Sequence, residues 1–272
     1  MSEAAEGAAP PRPAWQPFTF GGLAAFAQAR LGRLVLAELV AAILVGGSVV
    51  HFLHAAYSPV ILQAIQKMPE TAKIVRGHLT GIDTTVIAET KLFAIAVTTE
   101  ASDQIGQSAD VQIQFRSSDF RVGAVFRPDW GWEFEYGSAV TLDLSRSNLE
   151  PWWGAWHPVL LAAAGLSVLA LLFGIWAVLA LIYTVPAKFV AWCADRRLSW
   201  GGAWRLSSAA LLPGALLMGA AIFLYGWQVV DLVGVALFFV AHLLVAWVYI
   251  VGGAWACPRL YPNVLKQNPF VA

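Results

Sequence analysis

Pro158–Val185 reads PVLLAAAGLSVLALLFGIWAVLALIYTV, without one charged side chain. At about 1.5 Å of rise per helical residue, this run exceeds the roughly 20 residues that cross a bilayer core of about 30 Å. Leu34–Ala55, Leu206–Gly226 and Leu232–Ala256 are also long and apolar enough. Only Trp227–Asp231 separates the last two, so they are expected to form an antiparallel helical hairpin. The chain is 58% hydrophobic and 12% charged, where soluble domains carry about 45 to 50% and about 25%. Its mean hydropathy is +0.64. The fold class expected is therefore an α-helical membrane protein with four transmembrane helices.

Between the first two spans lies a long stretch of different character. After a first transmembrane helix over 34–56, Ser58-Pro59 offers a helix start. Val60, Ile61, Ala64, Ile65, Met68 and Ala72 then continue an apolar stripe, with Lys67, Glu70, Lys73 and Arg76 on the wet face and Gly77 as a stop. From His78 to Ser145 the period falls to about two. Leu92–Thr98, Asp110–Phe115, Phe120–Phe126, Gly131–Tyr136 and Ala139–Leu144 alternate apolar and polar residues, with turn chemistry at Ser117-Ser118-Asp119, Pro128-Asp129 and Gly137-Ser138. These features predict a small α+β domain over 57–156, inserted between the first and second transmembrane helices. In it a helix over Ser58–Arg76 covers an antiparallel sheet.

Orientation follows from the basic residues next to the spans, which are retained in the cytoplasm. Arg30 and Arg33 precede the first span; Lys188, Arg196, Arg197 and Arg205 lie between the second and third; Arg259 and Lys266 follow the fourth. All three clusters face the cytoplasm only if both termini are inside, which makes the 57–156 domain extracytoplasmic. The expected location is the bacterial cytoplasmic (inner) membrane, multi-pass. A cleaved signal peptide fits the first run less well, because a long polar lead precedes it and His54-Ala55-Ala56-Tyr57 lacks a small-x-small cleavage site. Cys193 and Cys257 both fall on the predicted cytoplasmic side, and the outer domain has no cysteine.

The remaining organisation is a disordered cytoplasmic lead over 1–18 and an amphipathic segment over 19–33. That segment is either an interfacial helix or an extension of the first span. A membrane bundle of three helices over 157–256 follows, with an amphipathic cytoplasmic connection at 187–205, and a tail over 257–272. The cluster Trp152, Trp153 and Trp156 is expected at the outer membrane boundary. In the third span, Ala210 with Gly214 and Ala215 with Gly219 give small-x-x-x-small rows, which allow close helix approach.

Ionisable groups in hydrocarbon are costly, about 2.5 to 3.5 kcal/mol at the centre on insertion scales. His242, near the middle of the fourth span, and Glu38, in the first, are the intramembrane polar candidates. His242 is either a proton or ligand site or an imidazole bonded to a neighbouring helix. Glu38 reads as a carboxylate at headgroup level paired with Arg30 or Arg33. At the outer boundary His51, His54, His157 and Asp231 could converge, and imidazoles with a carboxylate suit zinc or copper; hydration at the interface is the plainer use of each. Glu133 and Glu135 alternate with Trp132, Phe134 and Tyr136, the pattern of a solvated sheet face. No catalytic or cofactor-binding motif is present, so no cofactor is expected and the chain is read as non-enzymatic. Seventeen Lys plus Arg balance 17 Asp plus Glu, so nothing points to nucleic acid.

In layout, with the aromatic and basic lead Phe18–Arg33, one span, an outer helix-and-strand domain and three further spans, the chain resembles an uncharacterised bacterial polytopic membrane family defined by a domain of unknown function. Some of its members carry a maltodextrin-utilisation label. The strand Leu92–Thr99 and the stretch Arg205–Pro213 belong to the same resemblance. It implies the fold and brings no catalytic residues. The function expected is a binding, sensing or partner-docking role for the outer domain, accessory to an envelope or uptake system and working with the bilayer and a membrane or envelope protein. The alternative is a small transporter or permease component with His242 as its intramembrane site.

Overall fold

The computed structural model describes residues 16–98, 109–124 and 127–260. All but the end of the expected lead, and residues 261–272 of the expected tail, lie outside them. Four helical stretches are long and apolar enough to cross a membrane: Leu31–Lys67, Arg146–Cys193, Trp200–Gly226 and Leu232–Trp255. They coincide with the four runs read from the sequence, and a small β-sheet region accompanies them. The chain separates into two compact units, one of the described residues up to 47, 167–221 and from 233 on, the other of 48–166 and 222–232.

The first unit is helical. It holds α1 (Phe20–Phe26), most of α2 (Leu31–Phe52), the second part of α4 (Arg146–Cys193), most of α5 (Trp200–Gly226) and α6 (Leu232–Trp255). Helix α5 is its centre: 56% of its most apolar window is buried, against 11% in α4 and in α6. The outer faces of α4 and α6 are exposed and apolar, with Leu166, Leu181, Val233 and Leu237 among them. Leu23 and Phe26 of α1 bury with Leu206 of α5 and Ile250 of α6. The segment 19–33 is thus neither one interfacial helix nor a plain extension of α2. Thr19 caps α1 by accepting from the Gly22 N–H at 3.1 Å. The Arg205 guanidinium takes the Ala29 carbonyl at 3.1 Å in the break before α2.

The two small-residue rows of α5 serve two neighbours. A Cβ on Gly214 would lie 2.6 Å from the backbone carbonyl oxygen of His242 in α6, and one on Gly219 would lie 3.2 Å from a Val45 methyl in α2. The connection expected at 187–205 is largely absorbed into its flanking helices. Helix α4 continues past Pro186 to Cys193, because Ala187 and Ala191 gain burial in the unit's core by staying helical. The short turn to α5 is tied down by Lys188 Nζ donating to the Leu198 carbonyl at 2.6 Å and by Arg196 donating to the Cys257 carbonyl at 3.0 Å.

The second unit combines helix ends with two sheets. Helix α2 passes through a π-helical turn, Leu53–Tyr57, into α3 (Ser58–Lys67). The predicted helix to Arg76 stops nine residues early, because Pro69 drives Met68 into extended backbone with ψ at 128°. Instead β1 (Lys73–Val75) and β2 (His78–Thr80) form a hairpin in which Val75 pairs with His78. Its two loop residues, Arg76 and Gly77, both have positive φ, the geometry of a type I′ turn.

Strand β8 (Leu142–Asp143) pairs with β1, and a five-stranded sheet runs β3-β4-β5-β6-β7 over Thr85–Glu89, Phe93–Thr98, Val111–Arg116, Asp119–Ala124 and Arg127–Glu135. The sheet is mixed rather than antiparallel, since β4 and β5 run parallel with Phe93 opposite Val111. Buried at every position, β4 shows the continuous apolar run of a central strand covered on both sides. Pro128 and Asp129, read as a turn, sit inside β7 where the pairing jumps from Gly123–Gly131 to Ala124–Arg127. A strand irregularity is a place where a missing proline N–H is tolerated. As expected, α3 lies on the sheet: Val60 and Ala64 bury with Ile74, Ile87, Phe93 and Val97.

Candidate functional site

The intramembrane candidates are engaged differently from the expectation. Glu38 is not paired with Arg30 or Arg33. It is 6% exposed in the first unit and accepts a 2.5 Å hydrogen bond from Ser208 Oγ of α5, while Arg30 and Arg33 are exposed. Beside this pair the Ser207 hydroxyl is fully buried without a hydrogen-bond partner among the described residues. His242 does not bridge helices through its ring. Its Nδ1 bonds the Phe239 carbonyl one turn earlier in α6, and the ring tilts against Phe239 with centroids 4.9 Å apart. What His242 offers its neighbour is its backbone oxygen, at the Gly214 crossing. The residue that sequence reasoning missed is Ser208, which the small-residue stretch of α5 conceals.

The boundary histidines fall in the second unit. His54 and His157 stack at 5.4 Å, and His157 Nε2 lies 2.8 Å from Ser58 Oγ. His51 turns elsewhere, with its Nε2 accepting from the Trp227 indole at 3.1 Å. Asp231 stands just before α6, where a carboxylate suits a helix N-terminus. Among the described residues no group of three or more His, Cys, Asp or Glu side chains is placed to hold a metal. The arrangement is an aromatic collar: Phe52 stacks on Tyr225, Tyr57 on Phe93, and Tyr225 donates to Asp110 at 2.6 Å.

The β6–β7 end of the mixed sheet carries an open polar surface. A recess of about 490 Å³ is lined by Arg76, His78, Asp119, Glu133, Glu135 and Tyr136, among others. The Arg116 guanidinium bridges Glu133 at 3.1 Å and Asp119 at 3.8 Å. The Tyr136 hydroxyl is buried without a hydrogen-bond partner among the described residues, and burial, then the charge of Asp119, pushes its phenol well above the ordinary value. Gly77 belongs to the wall, since a Cβ there would meet the Tyr136 carbonyl oxygen at 2.9 Å.

Strand β7 is the sheet's edge. Trp132 and Phe134 on it are 58% and 48% exposed, and Phe134 stacks on Phe120 at 4.9 Å. The aromatic side of the Glu133 and Glu135 pattern is therefore open at Trp132 and Phe134 while Tyr136 packs against the core, and Glu133 is paired rather than only solvated.

The cysteines differ in reactivity. Cys193 is exposed and Cys257 is buried. Burial pushes the Cys257 thiol up to about 11 against a smaller opposing effect of Arg196. In solubilised protein at pH 8, a maleimide is expected to modify Cys193 within minutes and to leave Cys257 intact until the chain is denatured, read by mass of tryptic peptides. Because the raised value favours the neutral thiol, Cys257 supports the fold below about pH 9 and that support is lost as pH rises through about 11. Wild type is expected to lose more thermal stability than Cys257→Ala over that window.

Compared with known proteins, the chain matches no family model, no curated protein and no solved structure.

Proposed function

We propose that the chain is a non-enzymatic protein of the bacterial inner membrane, with both termini cytoplasmic, whose second unit stands outside the cytoplasm and docks a partner of the envelope. The observation that carries this reading is the edge strand β7 with Trp132 and Phe134 exposed beside a polar recess. A long edge presents unpaired backbone groups, and exposed aromatics on it add the apolar contact that protein interfaces favour. An accessory role in an envelope or uptake system fits a sheet unit tied to three membrane helices.

A small transporter or permease component is the second reading. The buried Glu38–Ser208 pair favours it more than His242 does, since the imidazole is engaged on its own helix.

A photoreactive phenylalanine analogue in place of Trp132, in living cells, is expected to give one discrete adduct that disappears when Phe134→Glu is added. The same analogue at Thr85, on the opposite edge, is expected to give none. Equal labelling from both edges, or an adduct indifferent to Phe134→Glu, would remove the docking surface. The orientation is checked independently: Ser118→Cys is expected to react with a membrane-impermeant thiol reagent in intact cells, and Cys193 is not. Labelling of Cys193 from outside would invert the topology.

A further inference from the structure

Within the first unit an apolar groove of about 370 Å³ runs along α2, walled by Phe18 and Phe26 on one side and by Leu212 and Leu216 of α5 on the other. Along α2 it is lined by the stripe Leu36, Val40 and Leu44, spaced as neighbours on a helix face, with Ala37 and the buried Ala41 beside them. The charged residue lining it is Arg33, at the N-terminal end of that stripe. Arg33 is exposed, and its guanidinium has no ion-pair or hydrogen-bond partner among the described residues.

From Arg33 to Leu44 the helix rises about 16 Å, close to one leaflet of a hydrocarbon core about 30 Å thick. The wall at the charged end is fixed, because the Tyr249 hydroxyl of α6 donates to the Phe18 carbonyl at 3.0 Å. One cation at the mouth and a purely apolar trough the depth of a leaflet match a single-tailed contact with an anionic amphiphile. A second copy of the chain would leave Arg33 to be covered in a low-dielectric contact without a carboxylate, which is costly.

We propose that this groove is a binding site for an anionic phospholipid, with its phosphate on Arg33 and one acyl chain lying between α1, α2 and α5. The guanidinium fork suits phosphate oxygens, which a zwitterionic headgroup neutralises in part. The site selects headgroup charge, not chain length.

The test uses the full-length chain in phosphatidylcholine vesicles containing a trace of phosphatidylglycerol with a photoactivatable acyl chain. Label is expected on peptides containing 36–44 and 212–216. Unlabelled phosphatidylglycerol is expected to compete about fivefold better than added phosphatidylcholine, the factor that about 1 kcal/mol per basic group near a headgroup gives. Arg33→Gln is expected to erase that preference. Arg30→Gln, which alters an exposed arginine outside the groove, is expected to keep it. Equal competition by the two lipids in wild type would reduce the groove to ordinary lipid contact and overturn the proposal, whatever the variants do. A preference that survives Arg33→Gln, or label that is excluded because the chain is dimeric through this face, would overturn it as well.

Discussion

Gly214→Ala is expected to destabilise the protein by about 1 to 3 kcal/mol, the cost of forcing extra volume into a packed contact. The added methyl would lie 2.6 Å from the His242 carbonyl oxygen, and because that atom is backbone the strain cannot be relieved by a rotamer change. Helix α6 as a whole must move away from α5, giving up the close contact that holds helices together in lipid. Gly214→Leu is expected to prevent assembly of the first unit altogether. Gly174→Ala is the matched control, since a Cβ there meets nothing within 4 Å. It is expected to be neutral or to stabilise by about 0.5 to 1 kcal/mol through helix propensity. Thermal unfolding of both in the same detergent decides the matter: similar midpoints for Gly214→Ala and Gly174→Ala would mean that α5 and α6 do not cross at Gly214.

Ser208→Ala is expected to have the second large effect, because it strips the buried Glu38 carboxyl of the hydrogen bond it receives from α5. A buried polar group left without its partner costs about 1 to 3 kcal/mol, and a charged one more. Removing both groups behaves differently. Glu38→Leu combined with Ser208→Ala puts apolar atoms on both sides and is expected to recover most of the loss, as paired replacement of a buried polar contact does. Glu38→Gln, which keeps an acceptor for Ser208, is expected to lie close to wild type. A double variant no better than the sum of its parts in a double-mutant cycle would show that Glu38 and Ser208 act independently.

The helices were legible because hydrocarbon imposes a length and a composition that few other environments demand. The four apolar runs could be read without knowing any partner. The small rows of α5 were equally readable, since glycine at four-residue spacing has a direct meaning for approach distance. The helix stop at Lys67 was present in the sequence as Pro69 and was outvoted by an apolar stripe that happened to continue to Ala72. The parallel pairing of β4 and β5 was not readable from alternation, which is the same for either direction. Its trace was the unbroken run Phe93–Val97, a mark of a strand buried on both faces.

Polar sites were harder for a physical reason: an ionisable residue in a span declares that it needs a partner, not which one. Arg30 and Arg33 were near Glu38 in sequence, whereas Ser208 is 170 positions away. His242 similarly found its partner on its own helix. The surface at Trp132 and Phe134 looked like one covered face because alternation assigns two sides to a strand without saying which side has a neighbour.

The bond from Tyr225 to Asp110 joins residues 115 positions apart, and residues 222–232 belong to the same compact unit as the sheet. During synthesis the chain grows by about 5 to 20 residues per second, so Asp110 exists for roughly 6 to 23 s before Tyr225 is made. Through that interval the sheet unit is missing the collar's last contributor, and Phe52 has the Tyr57 ring beside it but not the Tyr225 ring it stacks on. A ribosome halted after α4 would leave this unit incomplete even though all its strands had been translated. The order of biosynthesis thus sets a checkpoint: the strands wait for the end of α5, which is made only after the whole of α4.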